Sequence, residues 1–229
     1  MNNYILVLGS APKSKLPNFE VDKIYAANGA SQNADKYFRK FGRKKLISVC
    51  GSKEFYMNND VRKRVLKSKP DIVKFRSGIM PYKFAKENLK KIKYQSFSMI
   101  ESLCFQSKFL ENSFISLFLS ELDYQPNFTK KISHIFQIIK KKKMFGISTG
   151  LFSVLLARYE NPHKNLILSG ISIKTNSGNK FYGAKGHPNR MFVDKSAFIK
   201  IKKRFTKNLY TTDETTAKFC KIPLIKKKF

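Results

Sequence analysis

Residues 4–12 read YILVLGSAP, an apolar run that ends in Gly9, Ser10, Ala11 and Pro12. A short apolar run bounded by small, turn-forming residues is typical of a strand that is buried on both faces. Small residues after such a strand let backbone amides approach a phosphate or a sugar. The stretch therefore predicts a buried first strand, Tyr4–Leu8, followed by a loop suited to ligand binding.

The same pattern recurs along the chain. Further short apolar runs, most of them ending in Gly, Ser or Asn, are Lys23–Ala27, Leu46–Cys50, Asp71–Phe75, Asn165–Leu168 and Leu209–Tyr210. Apolar residues at helical spacing lie between these runs in Asn33–Phe41, Asn59–Lys67, Leu151–Tyr159 and Val193–Phe205. Alternating strands and helices predict a Rossmann-like α/β domain with a mostly parallel sheet and helices on both faces. Ligands of such sheets bind at the carboxyl ends of the strands.

The middle of the chain, Pro81–Lys143, is rich in aromatic residues with helical spacing. We expect it to form helices that cover the sheet, because a phenylalanine stripe at that spacing is usually packed core. The stripe consists of Phe105, Phe109, Phe114, Phe118 and Leu122.

Composition excludes a disordered basic tail. The chain has 229 residues, 42% of them hydrophobic and 21 of them Phe, which is enough apolar surface for the core of one domain, or of a domain with a small lid. It also carries 46 Lys and Arg against 15 Asp and Glu, a formal net charge of +31. Such a charge is compatible with binding to nucleic acid, to an anionic membrane or to small anions, and also with a lysine-rich coding bias.

Cysteine usage and hydropathy predict a cytosolic protein. The three cysteines are odd in number and contain no CxxC pair, which favours free thiols in a reducing compartment. The N-terminal apolar stretch Tyr4–Leu8 is too short for a signal peptide, and the longest charge-free stretch, Met144–Ala157, is shorter than a spanning helix. The lysine clusters are either solvated surface or contacts with the inner face of an anionic membrane, and they comprise Lys140–Lys143, Lys200–Arg204 and Lys226–Lys228.

Several well-known sites are absent from the sequence: GxxxxGK[ST], GxGxxG, HExxH, Cys/His metal spacing and the Asp-x-Asp pair. Two features instead favour an anionic ligand and acid–base chemistry. Ser148-Thr149-Gly150 begins a predicted helix and is either an ordinary N-cap or an anion site. His187, in a loop with glycine and proline, is either a general base or a surface residue, whereas His134 and His163 are better explained as structural or exposed.

The order of these features resembles the bacterial lipooligosaccharide sialyltransferases, glycosyltransferase family 42. Members begin with a strand and a Gly-Asn-Gly-Pro-Ser loop and have a second strand that ends in Asn. They continue with Thr-Ser-Gly at a helix start, a strand ending in Ser-Gly-Ile-Asp, a Tyr-bearing loop and a histidine. The corresponding residues here are Gly9–Lys13, Asn28, Ser148–Gly150, Ser169–Ser172, Phe181-Tyr182 and His187.

The resemblance implies an inverting, metal-independent glycosyltransferase that needs no cofactor. It would transfer sialic acid or a related nonulosonic acid such as Kdo from a CMP-sugar to a glycan or glycolipid hydroxyl. The chain, 1–229, would be one domain with an acceptor-side lid at about 172–190, peripheral to the membrane and able to form a homo-oligomer. The implied catalytic residues are His187 as the base, with Lys174 and Tyr182 on the phosphate side. The implied CMP-sugar-binding residues are Gly9, Ser10, Ala11, Asn28, Gly51, Ser148, Thr149, Gly150, Gly170, Ile171 and Ser172.

The sequence departs from the family pattern at four of these positions. Ser10 and Gly51 stand where the family has Asn, Lys174 where it has Tyr, and Ser172 where it has Asp. A lysine neutralises a departing phosphate as a point charge, so the reaction type is retained. The alternative class is a non-enzymatic basic protein that binds nucleic acid or anionic membranes, with an affinity that falls steeply with salt.

Overall fold

A computed structural model describes residues 3–11, 14–110, 127–139, 146–171, 194, 197–201 and 208–225. The strands are β1 (Tyr4–Leu8), β2 (Lys23–Ala27), β3 (Lys45–Cys50), β4 (Ile72–Phe75), β5 (Lys93–Ser96), β6 (Asn165–Ser169) and β7 (Leu209–Thr211). The helices are α1 (Ser31–Phe41), α2 (Ser52–Met57), α3 (Asn59–Lys67), α4 (Tyr82–Leu89), α5 (Met99–Leu110), α6 (Phe128–Ile139), α7 (Thr149–Glu160) and α8 (Glu214–Cys220). A 3-10 turn, Asn28–Ala30, joins β2 to α1.

The seven strands form one sheet in the order β5-β4-β3-β2-β1-β6-β7. Every neighbouring pair is parallel, so all seven carboxyl ends lie along one edge. The chain builds outward from β1 to β5 and then returns to the other side of β1 with β6. The strand order therefore reverses between β1 and β6, which is where open parallel sheets bind their ligands.

Strand alternation divides the core into layers on the two faces of the sheet. Ile5 and Val7 belong to a cluster with residues of α5 and α7, whereas Leu6 and Leu8 pack into a second cluster with α1. Successive side chains of a strand point to opposite faces, so a continuous apolar run such as β1 requires helices on both sides. The predicted Rossmann-like α/β arrangement is confirmed.

The middle segment is only partly as predicted. Lys93–Ser96 forms β5, an edge strand, within a region that was expected to be helical. Its sequence, KYQS, has no apolar run because an edge strand keeps much of its surface in water. The core role of the phenylalanine stripe is confirmed at Phe105, whose ring lies 5.3 Å from that of Phe152 on α7. Phe114, Phe118 and Leu122 lie outside the described residues.

The lysine clusters fall mainly outside the described ranges, since Lys140–Lys143, residues 202–204 and Lys226–Lys228 are not among them. Among the residues that the structure describes, no helix is both long enough and apolar enough to cross a bilayer.

Burial of the Tyr37 hydroxyl should make the fold less stable at alkaline pH. Its side chain lies on the buried face of α1, and its hydroxyl donates to the Phe19 carbonyl oxygen and accepts from the Val21 amide, both at 2.7 Å. Burial raises the pKa of Tyr37 to about 12, and the charge of Glu20 contributes in the same direction. A tyrosine in the unfolded chain ionises near pH 10, so the unfolded state loses this proton first.

We therefore expect the stabilising contribution of Tyr37 to be complete below pH 10 and to disappear as the pH rises towards 12. The loss should reach about 2 to 3 kcal/mol, from about 1.4 kcal/mol per pKa unit. Urea unfolding of wild type and Tyr37→Phe between pH 8 and pH 12 measures it. The wild type should lose more stability than the variant, and equal slopes would show that Tyr37 titrates normally in the folded protein.

Candidate active site

The carboxyl edge of the sheet gathers most of the predicted binding residues. Four strands end there in predicted loop residues, and the first turn of α7 lies at the same edge. These residues are Gly9, Ser10 and Ala11 after β1, Asn28 after β2, Gly51 after β3, Gly170 and Ile171 after β6, and Ser148, Thr149 and Gly150 at the start of α7. The whole predicted lid, about 172–190, lies outside the described residues, and with it Ser172, Lys174, Tyr182 and His187.

The loops after β1 and β6 are held together by backbone hydrogen bonds. The Gly9 amide donates to the Ser169 carbonyl oxygen at 2.8 Å, and the Ala11 amide donates to that of Gly170 at 3.0 Å. A Cβ atom on Gly9 would lie 2.1 Å from the Gly170 carbonyl oxygen, and Gly170 itself has a φ of +68°. The absence of a side chain at Gly9 thus permits the close approach of the β6 loop.

The start of α7 is fixed from several directions. Ser148 is an N-cap with extended backbone, and its hydroxyl accepts a 3.3 Å hydrogen bond from the Leu151 amide. Its own amide donates to Asp194 Oδ1 at 2.7 Å, and the preceding Ile147 amide donates to Gln106 Oε1 at 2.9 Å. A Cβ atom on Gly150 would lie 3.9 Å from the Ile171 side chain. The helix N-terminus is therefore held in place beside the end of β6.

The structure adds Arg76, which sequence reasoning did not identify. It follows β4 directly at the carboxyl edge, and its side chain is 1% exposed. The guanidinium group donates to the Ile147 carbonyl oxygen and lies 5.2 Å from the centre of the Phe152 ring. Arg76 thus brings a buried positive charge to the segment that leads into α7, where the helix dipole is also positive.

A second polar group lies at the ends of β2 and β3. Asn28 adopts a φ of +50°, is 95% buried and donates from Nδ2 to Glu54 Oε2 at 2.8 Å. Its Oδ1 is buried and has no hydrogen-bond partner among the described residues. A Cβ atom on Gly51 would lie 3.9 Å from the same Glu54 oxygen. Asn28 Oδ1 and the Glu54 carboxylate are hydrogen-bond acceptors, so this end of the edge suits a ligand with hydroxyl or amino groups.

Cys50 lies directly before this group and is not a reactive thiol. Burial raises its pKa far above the ordinary value, and the charge of Glu54 raises it further. A thiol that stays protonated is a poor nucleophile and a poor metal ligand. Within the described ranges, His, Cys, Asp and Glu side chains form no group of three that could hold a metal ion.

Comparisons with known proteins give one structural neighbour. No protein-family model matches the chain, and no curated protein matches it. Among solved structures, the chain is similar to the sialyltransferase CstII from Campylobacter jejuni, determined in complex with the substrate analogue CMP-3FNeuAc. The sequences are 12% identical, the TM-score is 0.33, and the match covers 98% of this chain and 86% of that protein.

Proposed function

We propose that this protein is a glycosyltransferase with a CMP-sugar donor. It transfers sialic acid or a related nonulosonic acid, such as Kdo, to a hydroxyl group of a glycan or glycolipid, with inversion and without a metal. The observation that carries the proposal is the meeting of the α7 N-terminus and the β6 loop where the strand order reverses. The order of the sequence motifs supports the choice of donor class.

The α7 N-terminus suits the phosphate of CMP. The first amides of a helix have no partner within the helix and, with the dipole, favour an anion. Ser148 keeps this end in place, and Gly150 leaves the approach to the amides free of a side chain. The buried guanidinium of Arg76, which contacts the segment before α7, adds positive electrostatic potential at this helix end. A charge has a stronger effect in a low-dielectric interior than in water. These groups would bind the donor and stabilise the CMP leaving group.

Asn28 and Glu54 suit the uncharged part of the donor. Two acceptors at one place match hydrogen-bond donors such as the hydroxyls of a sugar or the amino group of cytosine. A ligand group there would also give the buried Asn28 Oδ1 the partner that the described residues do not supply. Leaving such an atom unpaired costs about 1 to 3 kcal/mol, so ligand binding would recover part of this cost.

His187 is the proposed general base. It would take the proton from the acceptor hydroxyl while that oxygen forms a bond to the anomeric carbon. The bond from this carbon to the phosphate oxygen would break at the same time, and its electron pair would leave with CMP. Lys174 and Tyr182 are proposed to neutralise the charge that develops on the phosphate. The protein is proposed to act in the cytosol beside an anionic membrane.

A thermal-shift measurement with nucleotides in the presence of EDTA tests the donor site. CMP at ten times its Kd should stabilise the protein by about 1.4 kcal/mol, which raises the Tm by about 3 °C. CDP, UDP and GDP serve as comparisons. If the protein binds nucleic acid instead, CMP should leave its Tm unchanged, and its affinity for DNA or RNA should fall steeply with salt.

Gly150→Ala provides the matched variant for this measurement. The added Cβ meets nothing closer than 3.7 Å, and alanine favours a helix over glycine by up to about 1 kcal/mol. We therefore expect an unchanged or higher Tm without ligand. The methyl group would narrow the approach to the first amides of α7, so the affinity for CMP should fall about ten-fold. An unchanged affinity for CMP would show that the CMP phosphate does not bind at the N-terminus of α7.

A further inference from the structure

Glu54 fixes the orientation of the Asn28 side-chain amide. Asn28 Nδ2 donates to Glu54 Oε2 at 2.8 Å. An ionised carboxylate only accepts hydrogen bonds, so it pairs with the Nδ2 end of the amide. The reverse orientation would place two acceptors against each other without a hydrogen between them. Asn28 Oδ1 is therefore turned away from Glu54 Oε2, and it is this buried atom that has no hydrogen-bond partner among the described residues.

The Glu54 carboxylate also borders a position that carries no side chain. Glu54 is half-buried in the first turn of α2, and Gly51 directly precedes that helix. A Cβ atom on Gly51 would meet Ser77 Oγ at 3.8 Å and Glu54 Oε2 at 3.9 Å, so the space there is free of close contacts. A carboxylate accepts about four hydrogen bonds, so Glu54 is able to bind a ligand while it holds Asn28.

Glu54 brings a negative charge to an edge of the sheet that is poor in acidic residues. The first five residues after each of β1, β2, β4 and β6 include no Asp or Glu, whereas Glu54 is the fourth residue after β3. Its charge repels a carboxylate or phosphate and attracts a group that carries N–H donors. Asn28 Oδ1 has the same preference, because it is also an acceptor.

We propose that Glu54 is a specificity-determining residue that selects a ligand with an amino group at the ends of β2 and β3. An amino group has two N–H donors, one for Asn28 Oδ1 and one for the carboxylate, whereas a hydroxyl has only one. A carbonyl or carboxylate group has none and would leave both acceptors unpaired. The inference rests on the proposed function, because it identifies one group of the CMP-sugar. That group is either the amine of cytosine or an amine on the transferred sugar.

Binding of two matched pairs of ligands to the full chain tests the proposal. CMP and UMP differ in whether the pyrimidine ring carries an amino or a carbonyl group. CMP-neuraminic acid and CMP-N-acetylneuraminic acid differ in whether the sugar nitrogen is a free amine. In one of the pairs, the wild type should bind the amine at least about ten-fold more tightly. The pair that shows the preference identifies the source of the amine.

Glu54→Gln should reduce this preference to less than about three-fold. A glutamine amide donates as well as accepts, so it keeps a hydrogen bond to Asn28 but no longer fixes which end of the Asn28 amide faces the ligand. A purely structural role of Glu54 would instead weaken both members of a pair alike. Thermal unfolding of the variant verifies that it folds.

Glu101→Gln is the matched control. Glu101 is exposed near the start of α5, which follows β5 at the same edge, so its substitution removes the same charge. It should keep the wild-type preference. The inference would be overturned if the wild type bound CMP but preferred the amine in neither pair, if Glu54→Gln kept the preference, or if both glutamine variants lowered it equally. A wild type that binds none of the four ligands would overturn the proposed function, and the inference with it.

Discussion

Gly9→Ala is expected to lower the free energy of unfolding by more than about 3 kcal/mol, the range reached by severe overpacking of a core. The new methyl group would lie 2.1 Å from the carbonyl oxygen of Gly170 and 2.5 Å from its carbonyl carbon. Both atoms are backbone and belong to loops joined by hydrogen bonds, so neither can move without breaking the β1–β6 junction. Urea denaturation followed by circular dichroism measures the loss.

Gly51→Ala is the matched control for this prediction. Gly51 also follows a strand at the carboxyl edge, but its φ of −71° and ψ of 132° are accessible to any residue. The nearest atom to a Cβ on Gly51 would be the Cβ of Glu54 at 3.6 Å, which is an ordinary van der Waals contact. We expect a change below about 1 kcal/mol. Equal effects of the two alanines would contradict the close β1–β6 approach.

Arg76→Met is expected to destabilise the protein by about 2 to 4 kcal/mol. Methionine fills much of the same volume, but the buried Ile147 carbonyl oxygen loses its hydrogen bond, which costs about 1 to 3 kcal/mol. The contact between the guanidinium and the Phe152 ring is also lost, and this is worth up to about 2 kcal/mol. The start of α7 should loosen as a result, which hydrogen exchange of its first amides measures.

Arg62→Met is the control that separates the effect of burial from the effect of the contacts that an arginine makes. Arg62 donates to the Phe55 and Tyr56 carbonyl oxygens and lies 5.3 Å from the Phe84 ring, the same kinds of contact as Arg76. Arg62 is half-buried, however, so water can replace these hydrogen bonds. Its substitution should cost less than about 1 kcal/mol. A cost close to that of Arg76→Met would show that the burial of Arg76 has little effect.

Much of the fold follows from local sequence patterns. The runs in β1, β2, β3 and β6 are apolar because both faces of a central strand are covered, and each was predicted within one residue of its ends. The edge strand β5 and the short helix α8 escaped prediction, since neither has the apolar period that burial imposes. Tertiary pairing rather than propensity creates β5.

The candidate site was only partly predictable for a different reason. Loop residues such as Asn28 and Gly170 are signalled by their position after a strand. Arg76, Glu54 and Asp194 act through partners far away in the sequence, and no local pattern marks such contacts. A lone arginine directly after a buried strand, as in KFRSG (Lys74–Gly78), was the one available signal for Arg76.

The carboxyl edge of the sheet is proposed to bind a CMP-sugar and to transfer the sugar. The most direct measurement is CMP release from a CMP-activated sialic acid or Kdo in the presence of EDTA and acceptor, with wild type and His187→Ala compared. We expect the wild type to form CMP from the donor without a metal. The His187→Ala variant should bind CMP normally but form it from the donor at least 100-fold more slowly, as expected for loss of a general base. A wild type that neither binds CMP at millimolar concentration nor consumes either donor would contradict a CMP-sugar transferase function.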